Sequence, residues 1–414
     1  MPRNILDTVD IIKLGIELQA ARKQAGFTQE EAAQIIGVAR TTMTAIESGD
    51  RRIKEGELIK LAAAYGRQLS DFLRPRPQIS SFDVRKAQFR GSHLRTEEET
   101  LAIEPYIYEL YDLCRNYLEL EQIEGEPLVR NYPPQYNIRG LPVEQAAEFV
   151  AQEERSRLRL GDGPLPVLRD LLEQDVGLRI FYLPLQLPSK LRFSALYFYT
   201  EELGGCIAVN SNHPEDRRRI SLGHEYGHFL TTRNKAEIFI ENGYKRVPEA
   251  ERFADRFASY FLMPTTGLVK RFKDLCQAED NQPSIGGLLT LANQYGVSFE
   301  ALIRQLETLK LMHTGTFDML HRGGIRIRDI QRRLNIGEIP ARDDELPLRY
   351  QLLALHAIDK GRITEGQFAR FMKLDRWKAR EIVDELLARF KSHTSHEATD
   401  EASSDNTALE WLSE

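Results

Sequence analysis

The chain has 414 residues, 42% of them hydrophobic and 29% charged, and a formal net charge of −6 at pH 7. That length predicts two to four domains, each large enough to bury a core of its own. The composition is that of an ordinary globular protein, and with no run of about 18 apolar residues it excludes a transmembrane helix. The opening stretch MPRNILDTVDIIK is charged early and lacks an apolar core with a cleavage site, so no secretory signal is expected. Cys114, Cys206 and Cys276 lie far apart with no CxxC spacing. Neither a disulfide framework nor a cysteine metal site is expected, and a reducing cytoplasm fits. The charge is unevenly spread: residues 391–414 carry six acids (Glu397, Asp400, Glu401, Asp405, Glu410, Glu414) against Lys391. The rest of the chain is nearly neutral, which leaves room for a local basic face on nucleic acid.

Residues 12–73 carry one compact helical pattern. Within it, residues 28–49 read TQEEAAQIIGVARTTMTAIESG. Thr28 caps a helix, and Glu31 three residues later completes a capping box. Ala32, Ala33, Ile35 and Ile36 form the apolar side, and Gly37 supplies the turn. Val38, Met43 and Ile46 then fall on the inner face of a second helix, leaving Arg40, Thr41 and Thr44 outward. Gly49 ends that helix, and Arg51, Arg52 and Lys54 follow. A short exposed helix with basic neighbours is the arrangement that enters a major groove and touches phosphates. The opposing reading is a protein-interaction module, since residues 1–76 hold 12 Lys/Arg against 10 Asp/Glu.

Residues 74–95, with Pro75, Pro77, Ser80, Ser81 and Gly91, read as a linker. Apolar positions over 97–121 predict a connecting helix or pair of helices, and NYPPQYNIRGLP at 131–142 is a second break. A helix over 143–160 leads into GDGP. Next come a helix over 166–175 and strands at 178–183, 192–199 and 205–210. Residues 216–310 return to helix, and 345–390 form a small helical module. The fold class is therefore mainly α (α+β), with a five-helix N-terminal domain at 1–75 and connecting segments at 76–142. A domain with a small sheet follows at 143–310, then a helical module at 311–390 and an acidic tail at 391–414. That tail reads as disordered; its last segment, ALEWLSE, is either a frayed end or a short docking motif.

The strongest chemistry lies in ISLGHEYGHFL at 220–230. His224 and His228, four apart on a helix, project from one face and can share one metal ion. Glu225 beside them can take a proton from water. The third ligand is sought in ERFADRFASYFLMP at 251–264, where Glu251 and Asp255 share a helix face. Glu251 completes a His/His/Glu set with a fourth position open, as catalytic zinc requires. Asp255 can hydrogen-bond a ligand histidine and fix its tautomer. Burying such polar pairs in otherwise apolar helices would be costly without a partner.

Two resemblances follow. Thr28-Gln29, Gly37-Val38, Ile46-Glu47 and Gly49 are similar to the phage-repressor (Cro/C1, Xre) helix-turn-helix family over about 60 residues. The departure is Ala39, where that family usually has a capping serine. The resemblance implies DNA contacts from Gln29, Arg40, Thr41 and Thr44 and a homodimer on a double-stranded operator. Residues 143–310 resemble the ImmA/IrrE zincin metallopeptidases. The shared motifs are VEQAAEFVAQEERSRLRLGDGP, GGCIAVNSN, RRRISLGHEYGH, ERFADRFASYFLMP and LANQYGVSFEALIRQLETL, in that order. This resemblance implies one zinc per chain on His224, His228 and Glu251, with Glu225 as general base. It also implies a limited cut in a repressor or antitoxin, or in the chain itself, during a stress or mobile-element response. The alternatives are a transcription regulator with a non-catalytic sensor domain and a toxin–antitoxin or phage-defence component.

Several features stay open. The strand around Cys206–Asn210 is expected beside the cleft, its edge binding substrate backbone. Tyr244, Tyr199 and His213 are the oxyanion candidates, and Tyr226 is expected to pack. LLTLANQYGVSFEALIRQL at 288–306 has helix-turn-helix rhythm but reads as scaffold. The basic run 360–380 is either a helical cap or a second DNA-binding or dimerising module. His93, His313, His321, His356, His393 and His396 have no ligand spacing.

Overall fold

The computed structural model describes residues 9–67, 69–73, 97–165, 167–186, 194–233, 249–280, 283–323, 326–336, 339, 345–375 and 377–384. The expected linker at 74–95, the tail at 391–414 and Tyr244, His93, His393 and His396 lie outside these. The chain forms two compact units, Met1–Cys114 with Leu128–Glu345, and Arg115–Pro127 with Leu346–Glu414.

The first unit opens with five helices: α1 (Ile11–Gln24), α2 (Gln29–Ile36), α3 (Arg40–Glu47), α4 (Glu55–Ala64) and α5 (Leu69–Leu73). Their starts follow local chemistry. Asp10 accepts the amides of Ile12 and Lys13, and Thr28 and Glu31 make the reciprocal capping box. Gly37, at φ +73°, closes α2 in the left-handed conformation that glycine tolerates best. Ala39 starts α3 with no side-chain cap, so that helix is held by burial of Met43 and Ile46 instead. Leu14, Leu18, Ala32, Ile36 and Leu61 complete this core.

The helix α6 (Glu97–Glu124) is continuous, with Pro105 inside it. It is followed by α7 (Val143–Arg157) and α8 (Leu168–Leu171), which runs into a π-helical turn at Leu172–Val176. Strands β1 (Arg179–Leu183), β2 (Ala195–Thr200) and β3 (Gly204–Asn210) form one sheet in the order β1-β3-β2. β1 is parallel and β2 antiparallel to β3. This corrects one expectation. The strand ending at Asn210 is central, its backbone groups are bonded on both sides, and it has no edge to offer a substrate. Of the two described edges, β1 donates the Tyr182 amide to the Glu345 carbonyl. β2 is the other.

Side chains alternate across a strand, and the sheet uses both faces. Tyr197 meets Phe229 of α9 (Glu215–Thr232), while Phe198 meets Tyr111 of α6. The sheet is thus sandwiched between α6 and α9. Beyond α9 come α10 (Glu249–Leu262), α11 (Thr265–Ala278), α12 (Ile285–Tyr295), α13 (Phe299–Thr308), α14 (Thr316–Arg322) and α15 (Ile327–Arg333). One core runs from Ala146 to Leu306 and takes in Leu222, Phe257, Leu289 and Leu302. The 288–306 segment is therefore part of this core, as the scaffold reading expects.

The second unit packs the end of α6 against α16 (Leu348–Asp359) and α17 (Glu365–Phe371). Tyr117 meets Tyr350 edge-on at 5.3 Å, and the Tyr350 hydroxyl donates to the Phe371 carbonyl at 2.8 Å. The basic run is largely used here. Lys360 and Arg362 pair with Glu124, Arg370 pairs with Glu119, and Lys378 pairs with Glu381. Four of its seven cations are thus paired in place, which favours the helical cap over an open DNA-binding face.

The contact that positions everything else is α9 on α10. A Cβ on Gly223 would lie 3.2 Å from Ala258 Cβ; one on Gly227 would lie 2.9 Å from Phe257 Cδ1 and 3.2 Å from Ala254 Cα. As the chain advances along α9 the partners recede along α10, so the helices run antiparallel at close range. Gly227→Ala is expected to destabilise the chain by about 1–3 kcal/mol through overpacking. Gly56→Ala, with no atom near its Cβ, should leave stability unchanged or raise it by up to about 1 kcal/mol. Chemical denaturation of the two variants checks this.

Candidate metal centre and DNA-reading face

The antiparallel α9–α10 pair brings three predicted residues together. The Nε2 atoms of His224 and His228 lie 3.1 Å apart. Each stands 3.3 Å from a carboxylate oxygen of Glu251, His224 from Oε2 and His228 from Oε1. Among the described residues these three form the one group with ligand geometry. Tetrahedral zinc with bonds of about 2.0–2.1 Å requires donors separated by about 3.3–3.4 Å. Each histidine approaches its own Glu251 oxygen at that spacing, and one ligand atom from each of the three residues lies within 4.8 Å of the others.

The donor chemistry supports the same fit. Two imidazole nitrogens this close cannot both present lone pairs unless a cation or proton sits between them. With only protons available, burial disfavours a charged His224. Its hydrogen bonds to Asp255 and Glu251, helped by the Glu225 charge, nevertheless push it up to about 10. Burial likewise opposes ionisation of Glu251, yet its hydrogen bonds from His224 and His228 hold it well below the usual carboxylate range. The site is built to concentrate positive charge.

Asp255 lies one turn beyond Glu251, its Oδ1 2.8 Å from His224 Nδ1. That bond fixes the ring with Nε2 turned to the cluster. Glu225 is buried. Tyr226 packs as expected, stacked on Phe229 and edge-on to Phe257. Sequence reasoning missed its hydroxyl, which donates to Glu154 of α7. Glu154 is fully buried and also receives Tyr136 at 2.9 Å and Arg157 at 2.8 Å. In so charge-rich a helix nothing local sets buried Glu154 apart from exposed Glu153.

The N-terminal helices present their own face. Arg40 and Thr41 are exposed at the start of α3, and Arg52 is exposed in the turn after it. Arg51 is half-buried and pairs with Glu57 at 2.9 Å. Thr44 is exposed, but its hydroxyl donates to the Arg40 carbonyl at 3.1 Å and to Gln29 at 3.3 Å. Gln29 in turn donates to Glu47 at 2.8 Å, so it links α2 to α3 as well as facing outward.

Residues 18–72 match the helix-turn-helix family, and residues 173–307 match the IrrE N-terminal-like domain family. The chain is thus similar to a helix-turn-helix domain fused to an IrrE-type domain. No curated protein and no solved structure matches it. The two matches support a DNA-binding domain and a peptidase-family domain, and no helix among the described residues is long and apolar enough to cross a membrane.

Two oxyanion candidates can be placed in the fusion. His213 precedes α9, and the helix from Glu215 to His224 alone spans about 14 Å. That distance removes His213 from the metal triangle. Tyr199 lies on β2, where burial and the Glu201 charge raise its pKa.

The internal anchor of the helix-turn-helix domain is a pair that the motif reading did not assign. Arg22 and Glu47, both buried, meet at 2.5 Å, and Arg22 also donates to the Phe27 carbonyl at 2.7 Å. Removing the carboxylate strands a buried guanidinium. Glu47→Ala is therefore expected to cost about 3–5 kcal/mol in this domain. Faster amide exchange confined to α1–α3 checks it.

Proposed function

We propose that the fusion is a DNA-binding transcription regulator whose IrrE-type domain is a zinc endopeptidase. One observation carries the reading: two imidazoles and a carboxylate converge with one ligand atom from each within 4.8 Å of the others, and one imidazole is pinned from behind by Asp255. In this reading His224, His228 and Glu251 hold one zinc per chain and leave a fourth position to the reactants. Bound there, zinc would polarise a peptide carbonyl and acidify water. Glu225 takes the proton of the attacking water and passes it to the leaving amine. Asp255 keeps His224 in the ligating tautomer. The edge of β2 receives the substrate backbone, because β3 is enclosed.

The substrate is a repressor- or antitoxin-type protein, or the chain itself, cut at few positions in a stress or mobile-element response in the cytoplasm. Arg40, Thr41 and Thr44, with Gln29 beside them, read the major groove of an operator. Arg51 and Arg52 stand near the phosphates, and two copies occupy half-sites one helical turn apart.

Purified protein should hold about one zinc per chain by mass spectrometry of the metal, and His224→Ala should abolish it. Glu225→Gln should retain the metal and lose cleavage by at least about 100-fold, measured by mapping new N-termini in lysate from the source. Full cleavage by Glu225→Gln would overturn the base assignment. Zinc binding without any cleavage by the wild type would favour the sensor reading. Arg40→Ala should weaken operator binding by about 1–3 kcal/mol in a mobility-shift titration and leave zinc content unchanged.

A further inference from the structure

The helix α6 touches both functional parts of the first unit. On one side, Tyr111 packs on Phe198 of β2, and the Tyr106 hydroxyl exchanges hydrogen bonds with the backbone of Gln186 just after β1. On another, Tyr108 and Asp112, one turn apart, receive the helix-turn-helix domain. Lys23 of α1 donates to the Tyr108 hydroxyl at 2.8 Å and lies 5.2 Å from its ring centre. Arg67, just after α4, meets Asp112 at 2.8 Å.

Lys23 is also on the face that DNA would meet. It lines the same open cleft as Arg22, Thr28, Gln29, Arg40 and the single acid Glu30, where α2 and α3 begin. Helix starts and cations at one cleft suit a phosphate. A neutral phenol is a weaker partner for an ammonium than a phosphate is. The Arg67–Asp112 pair is partly exposed and screened by salt.

We propose that Tyr108 and Asp112 of α6 hold the helix-turn-helix domain in a docked state, and that DNA phosphate competes with Tyr108 for Lys23. DNA binding and docking then oppose each other. By linkage, whatever strengthens docking on α6 weakens DNA binding, by the same factor where the docked state predominates. Because α6 backs the sheet whose other face carries the His224–His228 helix, the docked state joins DNA occupancy to the peptidase-family domain. This inference rests on the DNA-binding reading above.

The test uses the full chain and a mixed-sequence 30-base-pair duplex, followed by fluorescence anisotropy across a salt series. Lys23→Ala should weaken binding about three- to tenfold and lower the salt slope by about one. Tyr108→Phe keeps the ring and the net charge but removes the acceptor; it should tighten binding about three- to tenfold. The decisive comparison is the pair: in a Lys23→Ala background, Tyr108→Phe should have no effect, because its influence runs through Lys23. Unchanged zinc content controls for folding. Unchanged or weaker binding by Tyr108→Phe overturns the proposal while leaving the DNA-binding reading intact, as does an equal gain in the Lys23→Ala background. Failure of wild type and Tyr108→Phe alike to bind any duplex overturns both. Binding gained only on Tyr108→Phe supports the docked state directly.

Discussion

The IrrE-type domain depends on how closely α9 approaches α10. Imidazole and carboxylate side chains are short, so two helices can share one ion only if their axes come near. Gly223 and Gly227 on α9 face Ala254, Ala258 and the Phe257 ring with no room for a Cβ. Residues four apart lie on one helix face. The same face that loses side-chain bulk at Gly223 and Gly227 therefore presents His224 and His228 beside it, against Glu251 and Asp255. Packing and chemistry are written into the same two turns.

The helices with strong local signals were legible in the sequence. The Thr28–Glu31 box, the Gly37 turn and the His224–His228 spacing each act over three or four residues, and each appears as expected. The convergence of Glu251 on that pair, 23 residues further on, was legible because the chemistry demands a third ligand. The sheet order was not. Three short apolar strands fit several orders, and what places β3 in the centre is the pairing of Arg179–Leu183 with Cys206–Asn210, which no local pattern encodes. The basic run at 360–380 stayed open for a related reason. Its charges pair with Glu119 and Glu124, more than 230 residues away in sequence, and a linear reading cannot see a neutralising partner at that separation.

Buried charge was the other hidden layer. Arg22–Glu47 fixes the helix-turn-helix domain, and Glu154 with Arg157, Tyr136 and Tyr226 fixes α7 to α9. Both carboxylates sit fully inside, where an unpaired charge would be costly. The Tyr226 phenol illustrates the result: burial first, and the neighbouring Glu154 charge second, push its pKa well above the usual range. It stays a neutral donor, which is the form Glu154 requires. A tyrosine inside the motif therefore has a reason beyond filling space, since it ties the backbone between Glu225 and Gly227 to a fixed carboxylate.

A domain with three strands and long connections leaves many carbonyls without ladder partners, and buried arginines satisfy them. Arg155 reaches the carbonyls of Gly161, Gly163 and Phe261; Arg219 those of Gly296 and Leu165; Arg218 those of His213 and Ser211; Arg233 that of Pro133. A guanidinium has five donors in one plane, so a single side chain can bridge two or three turns that backbone amides cannot reach. The desolvation is appreciable: burial, before any other effect, brings Arg155 down to about 10 and lowers Arg219 and Arg233. The group still remains charged at neutral pH, because arginine starts from so high a value. Lysine, with three donors on one nitrogen and a pKa that falls more readily on burial, would hold fewer carbonyls and risk losing its proton. The two ends of α9 are fastened this way, Arg218 and Arg219 at the start and Arg233 at the finish. The helix that carries both histidines is therefore held at fixed height against α10, which the 3.3 Å approach of each ring nitrogen to Glu251 requires.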